Sequence, residues 1–196
     1  MAPVLPDVTT LASLPEPTLL SVLDLLFEPS PELHALALPT LRSITFASYP
    51  ELIDTLRDQL LVVAKEVHPD PSARAPLLAI LGSHPRLGAK KVESAQSAAE
   101  QAQLQSASEA EAGKLAALNK EYEARYPGLR YVVFVNGRSR DVIMADMRKR
   151  IDRGDVAAEE EAAITAMGDI AKDRASKLAK ESEESTVGRS ALPEGH

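Results

Sequence analysis

The chain has no cysteine, which excludes disulfides, thiolate metal sites and cysteine nucleophiles together. No apolar run approaches the ~18 residues a membrane-spanning helix needs. The opening Met1-Ala-Pro-Val-Leu-Pro-Asp7 lacks the basic and apolar regions of a secretory signal. Basic residues are in deficit, 22 against 29 acidic ones, and the net charge of −7 repels a polyanion and argues against nucleic acid as a partner. There is no Gly-rich phosphate loop, and no internal repeat at a fixed period. What remains is a soluble, acidic protein of 196 residues, long enough for one domain with a proper core and short for two. The cytoplasm is its default location.

Proline clusters in the first half, eight of them within the first 50 residues at Pro3, Pro6, Pro15, Pro17, Pro29, Pro31, Pro39 and Pro50. A helix tolerates proline in its first turn and not in its interior, so this half is predicted to be a series of short helices. Thr18 to Phe27 is the first, stopped by Pro29. Ser48-Tyr-Pro-Glu51 has capping-box spacing, and the helix it opens carries Leu52, Leu56, Leu60 and Val63 on one stripe. Pro76 to Leu81 is a further short helix. Ser97-Ala-Ala-Glu100 repeats the capping-box spacing, with Ser94 a rival cap one turn earlier. Ser108 to Tyr126 is amphipathic through Leu115, Leu118, Tyr122 and Tyr126, and Pro127-Gly128 ends it. Ser139 is placed to cap a helix through Ile151. Val156 to Lys180 forms the last long helix, its apolar side marked by Ile164, Met167, Ile170 and Leu178.

Tyr131-Val-Val-Phe-Val135 is strand-like in composition. It is alone, so it is expected to be a buried extended connector leading to Asn136-Gly137. The predicted architecture is all-α, a single-domain bundle of about eight helices with one extended buried connector. Its bounds are an N-terminal extension at 1–14, the helical domain at 15–180, and a polar, aperiodic tail at 181–196 expected to be mobile.

Four histidines are present, His34, His68, His84 and His196. No pair has the i, i+4 spacing of a helical zinc site, so a metal centre is not supported. His84 stands out by its context, Gly82-Ser-His-Pro-Arg-Leu-Gly88. The following proline biases it out of the α region, which places an imidazole at a helix end where it can face a cleft and move protons near neutral pH. An exposed histidine at a helix stop would look the same. Ser97 as a cap with Glu100 in the first turn would put free amides and positive partial charge beside an anionic or carbonyl-rich ligand; a plain capping box is the simpler account. Gly137-Arg-Ser-Arg-Asp141 offers two guanidiniums near another helix start, or a solvated turn.

Taken together and in order, these segments resemble the 2-oxo-4-hydroxy-4-carboxy-5-ureidoimidazoline (OHCU) decarboxylase family, from about Pro15 to Leu178. Phe27-Glu-Pro-Ser-Pro31 is similar to its FE-x-SP motif, and His84-Pro-Arg-Leu-Gly88 to its HP-x-L/I-G motif. Ser97-Ala-Ala-Glu100-Gln101 is similar to S-x-x-E-Q, Leu118 to Arg125 to L-N-x-x-Y-x-x-R, and Gly137 to Asp141 to G-R-T/S-R-D. Two places depart from the pattern. Arg125-Tyr-Pro-Gly-Leu-Arg-Tyr131 is one residue longer than the usual R-F-G-F-P-F. The arginine expected near the end of the last helix falls on Lys177, with Arg174 one turn earlier on the same face.

The resemblance implies decarboxylation of OHCU to (S)-allantoin in urate degradation, with neither metal nor cofactor. It implies His84 and Glu100 as catalytic residues, with Arg174 or Lys177 supplying the family's cation. It implies ligand contacts from Pro85, Ser97, Ala98, Ala99 and Gln101, and from the connector Val132, Val133, Phe134, Val135 and Asn136. It also implies a homodimer acting on a small molecule, without nucleic acid or membrane. Some relatives are peroxisomal, but the end Pro-Glu-Gly-His196 is not a Ser-Lys-Leu signal. The alternatives are a catalytically silent helical domain that binds a partner through the same groove, and a plain scaffold without a ligand site.

Overall fold

Pro17, Pro31, Pro50 and Pro76 each stand in the first turn of a helix. In a computed structural model describing residues 4–67, 70, 73–89, 96–98, 100 and 109–190, a 3-10 helix at Val8–Ser13 follows Asp7, whose carboxylate accepts from the Thr9 amide at 2.9 Å. Helix α1 (Glu16–Leu26) takes Pro17 into its first turn and so begins two residues before the expected Thr18. Helix α2 (Pro31–Ser43) has Pro31 in its first turn and Ser30 as its cap, the hydroxyl accepting from the Leu33 amide at 3.3 Å. Pro39 does not break α2 but sits inside it, on the exposed face. There water can satisfy the carbonyl one turn back that loses its amide partner.

Helix α3 (Tyr49–Val67) opens with the predicted box. Ser48 accepts from the Glu51 amide at 3.3 Å, and the Glu51 carboxylate accepts in return from the Ala47 amide at 2.7 Å. Leu52, Ile53, Leu56, Leu60 and Ala64 form its buried stripe. Helix α4 (Ala75–Gly82) follows, and Gln96, Ser97, Ala98 and Glu100 are helical. Helix α5 (Glu109–Arg125) ends in the turn Pro127-Gly128. Gly128 has φ +90°, a conformation that favours glycine, and a Cβ there would crowd Leu78 Cδ1 at 3.2 Å. Helix α6 (Arg140–Arg153) is capped by Ser139, as predicted, and stops at Gly154 with φ +66°.

Helix α7 (Val156–Ser190) runs past the expected end at Lys180, so residues 181–190 continue the helix instead of leaving it. Extending an existing helix needs no new nucleus, and Glu, Lys and Ser tolerate it without an apolar face.

The architecture is all-α: among the described residues there are one 3-10 helix, seven α-helices and the helical residues 96–98 and 100, close to the predicted number. α3 lies along α7 as the most extensive helix pair; α1 also packs on α7, and α5 on α6. A single apolar core joins them through residues such as Leu23, Leu56, Tyr122, Ile164 and Met167. Among the described residues there is no strand, and the stretch 129–135 is extended with Tyr131, Val132 and Val135 buried. No helix among the described residues is long and apolar enough to cross a membrane.

Candidate active site

The end of α4 brings the first side chain into place. Gly82 passes so close to the next segment that a Cβ would lie 3.2 Å from the Gly128 carbonyl, and two residues on His84 turns inward to 5% exposure. Two side chains hold this loop by its backbone. Arg130 Nη1 donates to the His84 carbonyl at 3.0 Å, and Asn119 Nδ2 to that of Leu87 at 3.0 Å. Arg130 belongs to the one-residue-longer turn noted in the sequence.

From α7, the guanidinium of Arg174 meets four acceptor atoms on three side chains. Its Nε donates to Glu100 Oε1 at 2.7 Å and its Nη2 to Glu100 Oε2 at 2.9 Å. Nη2 also reaches Glu28 Oε1 at 2.7 Å and Ser97 Oγ at 3.0 Å. Ser97 in turn donates to Glu28 Oε1 at 2.5 Å. Ser97 is therefore not a cap, as the sequence spacing suggested. Gln96 before it is already helical, so its hydroxyl faces sideways into this network.

A cavity of about 310 Å³ lies against these groups, lined by His84, Pro85, Leu87, Ser97 and Glu100, by Tyr131 to Gly137, and by Ile170, Asp173 and Lys177 of α7. Asn136 (φ +40°) and Gly137 (φ +71°) make the tight turn at its far end, Asn being among the few side chains that tolerate this region. Arg138 folds back onto the connector, its guanidinium bonding the Phe134 carbonyl and its amide that of Val135 at 2.8 Å.

Burial pushes the His84 imidazole down to about 4; the Glu28 carboxylate opposes this and the Arg174 charge adds to it. The ring is neutral at neutral pH. Burial acts to raise Glu28, but hydrogen bonds from Ser97 and Arg174, with the charge of Arg174, outweigh it and hold its carboxyl below the ordinary range. Among the described residues, His84 Nε2 and Arg174 Nη1 are buried without a hydrogen-bond partner. Leaving a buried polar atom unpaired costs about 1–3 kcal/mol, and of these two residues His84 is the one that lines the cavity, where a ligand could pair its Nε2.

Of the residues singled out in the sequence, His84, Pro85, Ser97, Glu100, Lys177 and Val132 to Asn136 all border the cavity. Arg174 lies behind Glu100, its side chain 2% exposed, whereas Lys177 stands at the rim, 60% exposed and paired with Asp173 at 2.6 Å. Ala98 is half-buried and off the cavity wall. Ala99 and Gln101 lie outside the described residues. Glu28 and Asp173 were missed. Glu28 sits in the Phe27-Glu-Pro-Ser-Pro31 motif, which was a usable signal, while Asp173 shows only as the residue four before Lys177.

A family model described as OHCU decarboxylase matches residues 12–176. No curated protein matches the chain. The chain belongs to the OHCU decarboxylase family.

Proposed function

We propose that this family member removes carbon dioxide from OHCU and gives (S)-allantoin, within urate degradation and without a bound cofactor. The observation that carries the reading is that Glu100, gripped by Arg174, and the unpaired Nε2 of His84 share one cavity.

The substrate carries a hydroxyl and a carboxylate on one ring carbon, beside a ring C=N bond. When the C–CO2 bond breaks, its electron pair forms a C=C bond to the neighbouring carbon. The C=N π pair moves to nitrogen, which takes a proton. The substrate is its own electron sink, so the protein's work is positioning and proton traffic. His84, neutral and unpaired, receives the hydroxyl proton as the enol collapses to a carbonyl. A proton delivered to one face of the adjacent carbon sets the configuration. Overall one proton replaces the carboxylate.

Arg174, behind Glu100, orients that carboxylate toward the cavity through its two-point pair. The connector amides of Val132 to Asn136 serve the ureido and ring carbonyls. A homodimer and a cytoplasmic location belong to the same reading, on resemblance and composition; sedimentation of the purified protein tests the first.

Purified protein mixed with freshly generated OHCU is followed by circular dichroism. Turnover gives the (S)-allantoin signal faster than the spontaneous reaction. A binding-only domain gives thermal stabilisation by allantoin-like compounds through mass action without that signal, and a plain scaffold gives neither.

A further inference from the structure

An extended, buried segment must satisfy its backbone somewhere, and no strand among the described residues lies beside the connector. Arg150 of α6 supplies a partner from the side away from the cavity. Its Nη1 donates to the Val132 carbonyl at 3.0 Å, and its Cζ lies 4.7 Å from the centroid of the Tyr131 ring. The same guanidinium is fixed by Glu159 of α7, Nε donating to both carboxylate oxygens at 2.8 and 3.0 Å and Nη2 bonding one of them. Glu159, 0% exposed, also accepts from the Tyr122 hydroxyl at 2.5 Å and from Arg153 at 2.9 Å. Tyr131 and Val132 line the cavity; Arg150 does not.

We propose that Arg150, locked by Glu159, is a positioning residue for the substrate site: it sets the depth at which the connector's backbone wall stands in the cavity. Stability alone is a weak reason for such a pair, because apolar residues of similar volume often serve a core as well. The planar fork is what allows one side chain to grip Glu159, the Val132 carbonyl and the Tyr131 face together. The inference rests on the decarboxylase reading of that cavity.

The test is the double variant Arg150→Met/Glu159→Gln, which removes both charges and leaves Tyr122 an acceptor. It should melt cooperatively, raise KM for OHCU at least ~10-fold with kcat changed less, and speed amide exchange at Val132 to Val135 at least ~100-fold. If melting is not cooperative, Arg150→Lys carries the same readouts, since an ammonium cannot span the three partners. A KM within about twofold of wild type, with only a lower melting temperature and unchanged connector exchange, overturns the proposal. Wild-type protein without turnover would sink the decarboxylase reading instead, and connector exchange would still decide whether Arg150 holds this wall.

Discussion

Arg174 and Glu100 form a two-point pair, Nε to Oε1 at 2.7 Å and Nη2 to Oε2 at 2.9 Å, across 74 residues of sequence. Only a guanidinium can make that fork while also serving Glu28 and Ser97. Arg174→Lys is therefore expected to lower kcat/KM by roughly 100-fold or more, and Arg174→Met to destabilise the fold by about 3–5 kcal/mol because the buried Glu28 loses its counter-ion and keeps only the Ser97 hydroxyl. Lys177→Met, at the exposed rim, is expected to change turnover less than ~10-fold. Steady-state kinetics and urea unfolding on the three variants separate the two cations.

Glu28→Gln keeps the shape of the side chain and removes its charge. Arg174 then keeps Glu100 as its charged partner and Ser97 as a neutral one, and His84 loses the carboxylate that opposes its neutrality. The expected result is a folded protein with turnover lowered ~10-fold or more, read by the same kinetics. Unchanged turnover would make Glu28 a structural counter-ion only.

Stability should fall on acidification with a part that belongs to His84. Its pKa is lowered from the ordinary 6.5 to about 4 in the fold. Between those values the unfolded chain binds the proton and the folded chain does not, so stability rises with pH through this window and is lost as pH falls from 6.5 towards 4. The shift corresponds to about 3 kcal/mol. Urea unfolding at pH 7 and pH 4 should show that loss reduced in His84→Asn by a like amount. The lowered Glu28 carboxyl adds a loss of the same sign that both proteins share.

Arg130→Met should loosen the loop that carries His84 while sparing the core, since it removes one hydrogen bond to the His84 carbonyl from a half-buried side chain. Expected are a stability loss of about 0.5–1.5 kcal/mol and a fall in kcat with KM near wild type, measured by thermal unfolding and initial rates.

Much of the helical frame was legible because proline and serine announce helix starts by fixed chemistry, as at Pro31, Ser48 and Ser139. Pro39 misled because a proline inside a helix, which loses a donor and crowds the carbonyl one turn back, is tolerated more readily on an exposed face where water pairs that carbonyl, and exposure is invisible in one sequence. Ser97 misled because the S-x-x-E spacing is shared by a cap and by two neighbours on one helix face. The identity of the buried cation was open between Arg174 and Lys177, three residues apart on α7; packing settles which is buried, and periodicity could not. Glu28 meets Arg174 across 146 residues, a tertiary pairing that no local pattern encodes.

The most direct measurement is the initial rate of the (S)-allantoin dichroism signal from fresh OHCU, for wild type and His84→Asn at equal folded concentration. The account predicts a wild-type rate far above the uncatalysed one, and a variant that melts cooperatively yet falls by roughly 100-fold or more towards it. A wild-type rate no faster than buffer, or a variant that matches wild type, would contradict it.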